Sequence, residues 1–383
     1  MFRTGFRLPF TLFGIPIRLD VTFFLLLVLL TWVIGAQVGA YVRIFNLPID
    51  PQPLQEGATP WLLGLLSALG LIVSVLIHEL AHALVARRYG VEIKEITLWI
   101  LGGIAQLREM PRQRGAEAIV AIAGPITSLL LGGLFWLATQ AISPGAAAVL
   151  FVVSYLAVIN VLLAVFNMLP ALPMDGGRVL RSLLALRLNH LRATRIAVTS
   201  SHVIAVLLGI YAFLSLNIFL MAIAVFIYLA ARAETQYAVM THALEDIRVD
   251  DIMTHDVDTV HPDMRVPDFI KLMLAKKHLC YPVMDDYGQL LGVAKLYHAE
   301  NADESSVISD IMSRDIAMIR REASAVDAFK RISESDSHRL IVTDEDGNLL
   351  GIVSNSDLVK AIQIRMVGRD MTESKAPTTE PVR

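Results

Sequence analysis

The sequence is poor in cysteine and in charge. Its one cysteine among 383 residues, Cys280, excludes an intrachain disulfide and suits a reducing compartment. Only 18% of the residues are charged, whereas 55% are hydrophobic, and an ordinary soluble domain carries more charge than this. The net charge of −3 gives no basic excess, so the sequence offers no reason to expect nucleic acid as a partner.

Acidic residues are especially scarce in a long central stretch. Between Trp61 and Ala233 they are Glu79, Glu92, Glu95, Glu109, Glu117 and Asp175. Apolar runs of about 20 residues, enough to cross a hydrocarbon core, occur near 21–40, 61–86, 116–141, 148–169, 196–215 and 217–231. The N-terminal part is therefore predicted to be a polytopic α-helical membrane protein with six transmembrane helices surrounded by membrane lipid.

Basic residues predict the orientation of these spans. They concentrate after the second and the fourth span, and the intervening loops carry almost none. Because basic loops stay on the cytoplasmic side, both termini of this multi-pass protein are expected to be cytoplasmic, in the cell membrane if the source is prokaryotic. Arginines precede the first span without an obvious small-residue cleavage site, which favours an uncleaved signal anchor over a secretory peptide.

The C-terminal part contains a tandem repeat. DIMTHDVDTV begins at Asp251 and DIMSRDIAMI at Asp310, and the turns at Gly288 and Gly347 keep the same spacing of 59 residues. Each copy predicts a helix (266–277 and 325–333), a strand (280–284 and 339–343), a turn, a second strand and a closing helix, which together form an α/β domain. The predicted boundaries are 1–235 for the membrane domain, 236–248 for a linker, 249–302 and 303–366 for the repeats, and 367–383 for a disordered tail.

The second span contains the motif HELAH. His78 and His82 are four residues apart on a helix, so both imidazoles project from one face and one Zn²⁺ can bridge them. Glu79 adjoins the first histidine and is placed to act as a general base. The alternative is a set of polar residues at a helix end that neighbouring helices satisfy. The cost of burying ionisable groups in a membrane favours the metal site.

A catalytic zinc site needs a third protein ligand. Asp175 is the preferred candidate, because Pro170 and Pro173 must end the fourth span just before it and Gly176 and Gly177 would let the chain turn tightly. The alternatives are Glu92, Glu95 and Glu109, which lie in a basic loop. Asp175 could also simply cap the helix that follows.

Three segments, in this order, resemble the site-2 protease family of intramembrane zinc metalloproteases: HELAH within a span, GPITS at 124–128 and FNMLPALPMDGG at 166–177. The resemblance implies that His78, His82 and Asp175 hold one zinc ion per chain and that Glu79 is the catalytic glutamate. It also implies that Asn167 stabilises the tetrahedral oxyanion. From the residues alone, Asn167 beside a proline break could instead satisfy freed backbone carbonyls.

The segment VEIKEITLWILGG at 91–103 predicts a short β-hairpin. The family resemblance implies a membrane-associated sheet at this place, to which GIPIRL near Gly14 would contribute. Such a sheet could pair its edge with an unwound substrate. An ordinary cytoplasmic hairpin is the alternative.

The tandem repeat resembles a pair of CBS domains, an arrangement found in one branch of the site-2 protease family. That resemblance implies binding of an adenine nucleotide, ATP or AMP, with Ser354 near the phosphate and Asp357 on the ribose. The first repeat has Lys295 and His298 at these positions, so one nucleotide site is expected rather than two. The alternative is a purely structural pair that forms a homodimer.

These patterns predict an intramembrane zinc endopeptidase that cleaves single-span, membrane-anchored proteins and senses adenine nucleotide through cytoplasmic CBS domains. The alternative from another class is a membrane transporter or channel gated by the CBS pair. A catalytically inactive scaffold is a third hypothesis, which the intact HELAH motif and Asp175 oppose.

Overall fold

The computed structural model describes residues 5–100, 102–107, 113–300, 302–303, 305–335 and 338–373. The chain divides into two compact units, Met1–Gln236 and Tyr237–Arg383. The first unit is built from apolar helices and one small sheet, and the second is an α/β unit.

Long apolar helices form most of the first unit. They are α1 (Val21–Ala36), α2 (Val38–Ile44), α3 (Thr59–Arg88), α4 (Ala116–Thr139), α5 (Ala147–Asn167), α6 (Asp175–Ala185), α7 (His190–Leu214) and α8 (Ile218–Leu244). Within the described residues, α3, α4, α5, α7 and α8 are each long and apolar enough to cross a membrane. The pair formed by α1 and α2 is bent by 65° and makes a sixth span only if it is counted as one. The predicted span at 21–40 is thus interrupted at Gln37.

Small residues let these helices approach closely. A Cβ on Gly64 of α3 would lie 2.3 Å from the Thr31 carbonyl oxygen of α1, so only glycine allows this contact. Pro60 lies in the first turn of α3, where no backbone donor is lost, and Arg87 and Arg88 occupy its last turn, where they favour the negative end of the helix dipole. The helix that carries HELAH therefore packs closely on α1 at Gly64, and the residues at both of its ends favour the helical form.

Four strands form a mixed sheet in the order β1 (Gly5–Leu12), β2 (Ile15–Asp20), β3 (Ile93–Trp99) and β4 (Gly102–Leu107). The β1–β2 and β3–β4 pairs are antiparallel, whereas β2 and β3 run parallel with Ile17 opposite Ile96. Both isoleucines are fully buried. Asp20 ends β2 and caps α1, since its Oδ1 accepts the Thr22 N–H at 3.0 Å. The GIPIRL segment therefore joins the sheet to the first apolar helix.

The chain between α5 and α6 differs from the expected tight glycine turn. Gly176 and Gly177 lie inside the first turn of α6, which begins at Asp175. A Cβ on Gly176 would lie 2.3 Å from the Met168 carbonyl oxygen, and one on Gly177 would lie 2.4 Å from the Leu172 nitrogen. The two glycines are therefore needed for close packing of α6 on the preceding segment rather than for a turn.

The second unit contains the two repeats. Its elements are α9 (Val266–Lys276), β5 (Cys280–Met284), β6 (Leu290–Lys295), α10 (Leu296–Ala299), α11 (Ile308–Ile311), β7 (Met318–Arg320), α12 (Ala325–Glu334), β8 (Arg339–Thr343), β9 (Leu349–Ser354) and α13 (Asn355–Glu373). The predicted strands 280–284 and 339–343 are confirmed. Reciprocal bridges, Thr254 with Ile352 and Val293 with Ser313, join each repeat to the other.

Two helices extend into segments expected to be irregular. Helix α8 continues to Leu244 and so includes most of the predicted linker at 236–248. Helix α13 continues to Glu373 and includes the start of the predicted tail, whereas 374–383 lie outside the described residues.

Candidate metal centre

The two histidines of HELAH face each other on α3. His78 is 3% exposed and His82 is 9% exposed, and their Nε2 atoms lie 3.1 Å apart. The spacing of four residues brings the rings together on one face of the helix, with ring centroids 4.7 Å apart. Their arrangement follows directly from the sequence pattern.

Asp175, in the first turn of α6, completes the group. Its Oδ2 lies 3.2 Å from Nε2 of His78 and 3.2 Å from Nε2 of His82. Met174, not Asp175, is the N-cap of α6, so the Asp175 carboxylate is directed at the histidines instead of capping its own helix. Among the described residues, these three form the group of His, Cys, Asp or Glu side chains whose geometry could hold a metal ion.

Helix α7 fixes the segment that leads to Asp175. The Ser201 Oγ accepts the Leu172 N–H at 2.7 Å and donates to the Ala197 carbonyl at 2.8 Å. The neighbouring Ser200 Oγ donates to the Pro170 carbonyl at 2.6 Å. Backbone groups that the prolines leave without helical partners are thereby satisfied by side chains of α7, as a broken helix within an apolar bundle requires.

Helix α4 orients both histidines from the opposite side. The Nδ1–H of His82 donates to the Val120 carbonyl oxygen at 2.8 Å, and Nδ1 of His78 lies 2.9 Å from the Ser128 Oγ. Because a carbonyl only accepts, His82 carries its proton on Nδ1 and presents a lone pair at Nε2. Ser128 can accept in the same way from His78. Such partners orient metal-binding imidazoles in many metal sites.

Gly124 provides the space at the centre of the group. A Cβ at this position would lie 2.3 Å from Nε2 of His82 and 2.5 Å from Nε2 of His78. No side chain larger than hydrogen fits there while the rings keep their positions. The glycine therefore keeps open the volume onto which the ligand atoms converge.

These atoms fit a zinc ion. Two imidazole lone pairs and a carboxylate oxygen within 3.2 Å of one another repel unless a cation or proton lies between them. A tetrahedral zinc with bonds of about 2.0–2.1 Å to nitrogen and oxygen separates its ligand atoms by about 3.3–3.4 Å. The observed separations are close to that value, and a His₂Asp set leaves the open fourth position of a catalytic site.

Glu79 lies beside the group, against the sheet. It is half-buried, and a Cβ on Gly103 of β4 would come within 2.5 Å of its Cγ and 3.3 Å of its Cδ. Only a glycine in β4 allows the strand backbone to pass this close to the glutamate. The face of β4, the edge strand, and the predicted general base are therefore neighbours.

The other predicted site residues are placed differently. The Asn167 amide, at the end of α5, donates one of its two N–H groups to the Leu163 carbonyl at 2.9 Å, and the predicted oxyanion role would use the other. Glu95 forms an ion pair with Arg18 at 3.1 Å and is not part of the histidine group. Glu92 is likewise outside that group, and Glu109 lies outside the described residues.

The predicted nucleotide residues lie at the start of α13. Oδ2 of Asp357 accepts the Ser354 N–H at 2.9 Å and the Ser354 O–H at 2.6 Å. At the equivalent position of the first repeat, burial and then the charge of Lys295 lower the pKa of His298, which disfavours its charged form. Burial also raises the pKa of the Cys280 thiol, which suits a packing role rather than a reactive one.

Sequence reasoning missed the contribution of α4. Val120 contributes its backbone carbonyl, and Ser128 contributes one hydroxyl in an apolar helix. Gly124 contributes by having no side chain, which leaves space for the histidine rings. Gly124 and Ser128 begin and end the GPITS segment, but neither residue type by itself indicates its role, and Val120 lies outside that segment. The three residues follow one another at intervals of four, which places them on one face of α4. This spacing is the sequence feature that could have indicated that α4 contacts the metal centre.

Comparisons with known proteins agree with these motifs. The family model for peptidase family M50 matches residues 66–146 and 142–211, and the CBS domain model matches 249–298 and 308–364. A zinc metalloprotease of Methanocaldococcus jannaschii is 31% identical over 357 residues, which cover 93% of this chain and 95% of the relative. The putative zinc metalloprotease Rip3 of Mycobacterium tuberculosis is 32% identical over 335 residues, which cover 83% of this chain and 85% of the relative.

A solved structure is also similar. The site-2 protease from Methanocaldococcus jannaschii is 31% identical and covers 60% of this chain and 95% of its own, with a TM-score of 0.42. The identity to zinc metalloproteases along nearly the whole sequence, together with the M50 and CBS matches, decides the family. The chain belongs to the site-2 protease family, peptidase family M50, as a zinc metalloprotease with a C-terminal CBS pair.

Proposed function

We propose that this zinc metalloprotease cleaves transmembrane segments of single-span, membrane-anchored proteins, with one zinc held by His78, His82 and Asp175. The observation that carries the proposal is the convergence of three ligand atoms within 3.2 Å inside a bundle of membrane-spanning length. Family membership opposes the alternative of a CBS-gated transporter or channel, and the complete ligand group opposes an inactive scaffold.

Bound zinc would polarise the scissile carbonyl and make a water molecule more acidic. Glu79 is the group that would take a proton from that water and deliver it to the leaving amine. His78 and His82 serve as ligands in the neutral form. Their Nδ1 bonds to Ser128 and Val120 orient the rings so that Nε2 of each faces the ligand group. Asn167, at the end of α5, is proposed to stabilise the oxyanion.

An apolar cavity of about 760 Å³ in the first unit suits the substrate segment. Its walls come from α1, α3, α5, α8 and the end of β3, and include Val75 and Trp99. Val75 is one turn before Glu79 on α3, so the cavity leads along that helix face toward the general base. An apolar transmembrane helix could enter this cavity at little energetic cost, because it would exchange contacts with lipid for contacts with apolar side chains.

The edge of the sheet supports the next step. Gly102 lines the cavity, and the next residue, Gly103, lies against Glu79. Among the described strands, β4 pairs only with β3, so an unwound substrate can add to its other side. An extended peptide there would expose its backbone carbonyls beside Glu79, which a helical peptide does not. We therefore assign the sheet a substrate-holding role at the membrane.

Metal removal tests this proposal. Purified protein in lipid vesicles is expected to cleave a single-span reporter, to lose cleavage when a chelator removes the metal, and to regain it with Zn²⁺ but not Mg²⁺. The reason is that two imidazole ligands favour zinc over magnesium, which prefers oxygen ligands. Metal content and gel-resolved cleavage are measured on the same samples. Full cleavage by protein verified to be metal-free would contradict the zinc assignment.

The CBS unit is proposed to sense adenine nucleotide from the cytoplasm, with Ser354 and Asp357 at the site. One carboxylate oxygen of Asp357 already holds Ser354, and the other, Oδ1, lies 3.9 Å from the Lys360 Nζ and can accept from ribose hydroxyls. The cytoplasmic location of both termini and a homodimer through the CBS unit belong to the same proposal.

Asp357→Ala tests the nucleotide site. We expect the dissociation constant for ATP or AMP to rise by roughly 10- to 100-fold, because hydrogen bonds to a charged group contribute about 1.5–3 kcal/mol. His298→Ala, at the equivalent position of the first repeat, is the matched control and should leave affinity unchanged. Calorimetric titration measures both, and unfolding curves check that each variant is intact. Equal affinity in Asp357→Ala and wild type would remove this site.

A further inference from the structure

A buried ion cluster surrounds Arg181 on α6. Arg181 is 6% exposed, its Nε donates to Oε1 of Glu117 at 3.0 Å, and its Nη2 also bonds to that oxygen. Its Nη1 donates to Oε1 of Glu234. One guanidinium thus ties together α6, α4 and α8, which carry Arg181, Glu117 and Glu234 respectively.

Glu117 lies on the face of α4 that serves the metal centre. Glu117, Val120, Gly124 and Ser128 are spaced by three, four and four residues, so they form one stripe along the helix. The last three residues of that stripe contact or orient the two histidines. Glu117 therefore fixes α6 to the same surface that holds His78 and His82.

Arg181 shares its helix with Asp175. Helix α6 has 11 residues, and Asp175 is in its first turn, so a displacement of Arg181 moves the whole short helix and the carboxylate with it. A second bond supports the same contact, because the Ser182 Oγ accepts the Ala118 N–H of α4 at 3.2 Å. The distance from Asp175 Oδ2 to the histidines is thereby set through the contact between α6 and α4.

The two carboxylates hold Arg181 in different surroundings. The Glu117 side chain is 13% exposed and the Glu234 side chain is 35% exposed. Glu234 lies on α8, which continues to Leu244. The bond to Glu117 is therefore the better shielded of the two from solvent, and the bond to Glu234 connects α6 to α8.

We propose that Arg181 is a positioning residue that holds Asp175 at the metal centre by fixing α6 to Glu117 of α4 and to Glu234 of α8. This inference rests on the proposed zinc site. Arginine is suited to the role because its planar guanidinium bonds to two carboxylates at once, which the single ammonium of lysine cannot do with the same geometry.

Full-length Arg181→Gln, Arg181→Lys and Glu234→Gln test the proposal without relying on cleavage. Zinc affinity is measured by competition with a chromophoric chelator, and the visible absorption of bound Co²⁺ reports the ligand geometry. We expect Arg181→Gln to weaken zinc binding by roughly 10-fold, the lower end of the loss caused by removing a direct partner of a metal ligand, because Arg181 acts on Asp175 only through α6. The Co²⁺ spectrum should change as well. Arg181→Lys and Glu234→Gln should lie between this variant and wild type.

Arg187→Gln is the matched control, because Arg187 is exposed just beyond the end of α6; it should bind both metals as wild type does. If the Arg181 variants fold but bind zinc with wild-type affinity and an unchanged Co²⁺ spectrum, Arg181 only stabilises the fold and the proposal is wrong. If Arg181→Gln does not fold, the zinc affinity and Co²⁺ spectrum of Arg181→Lys and Glu234→Gln test the proposal instead. Wild-type values in both would show that it is wrong. Wild-type protein that binds no zinc would instead refute the proposed function.

Discussion

Glu79→Gln is expected to abolish measurable cleavage while the protein still binds one zinc ion. General acid–base catalysis contributes roughly 10²- to 10⁴-fold to a rate, and the cleavage rate should fall by about that factor. Glutamine has the shape of glutamate, so it keeps the contact with Gly103, but it cannot take up a proton at neutral pH. Zinc content should be unchanged, because Glu79 is not among the three converging ligands.

The measurement is single-turnover cleavage of a single-span reporter in lipid vesicles, with metal content determined on the same preparation. Glu92→Gln is the control, because Glu92 is an exposed carboxylate outside the histidine group. It should cleave as wild type does. A Glu79→Gln variant that cleaves at the wild-type rate would show that another group moves the proton, whereas a variant that loses zinc would make Glu79 a structural part of the site.

Gly124→Ala is expected to prevent zinc binding and therefore cleavage. The added methyl group would lie 2.3 Å from Nε2 of His82 and 2.5 Å from Nε2 of His78, well inside van der Waals contact. Neither ring can turn away without breaking its bond to Val120 or Ser128, and the helix backbone at position 124 cannot retreat alone. Zinc affinity should fall by about 100-fold or more, at least as much as when an outer partner is lost.

Gly133→Ala, in the same helix, is the matched control. No described heavy atom lies within 4 Å of a Cβ at position 133, so alanine should be neutral or slightly stabilising there. Chelator competition measures zinc affinity for both variants, and circular dichroism checks their helix content. Wild-type zinc affinity in Gly124→Ala would mean that the ligand atoms do not converge beside this residue.

Local spacing explains which parts of the site the sequence predicted. His78, Glu79 and His82 lie within five residues of one helix, so helix geometry alone places their side chains together. Asp175 is almost a hundred residues away, and it was identified by a proline break and by a family motif rather than by spacing. The repeat elements are also predictable, because strands 280–284 and 339–343 are short apolar runs that recur at the same spacing, and both are observed.

Predictions failed where packing overrides local preference. The glycine pair predicts a turn at Gly176 and Gly177, yet both residues lie in the first turn of α6, where the backbone at Met168 and Leu172 leaves no room for a side chain. The predicted linker is largely helical because α8 simply continues to Leu244. At Gly176 and Gly177 the local composition allows several conformations, and the close approach of the preceding segment requires the glycines.

The sequence by itself determined the apolar helices, the duplicated C-terminal unit, and the identity of the histidines and glutamate of the site, because hydrophobicity, repetition and helical spacing are local properties. Only the tertiary structure decided that α4 orients both histidines through Val120 and Ser128, that Gly124 keeps their centre open, and that Arg181 joins the Asp175 helix to two others. These functions depend on a backbone carbonyl, a missing side chain and an ion cluster formed by residues far apart in the chain, and they exist only once the helices pack.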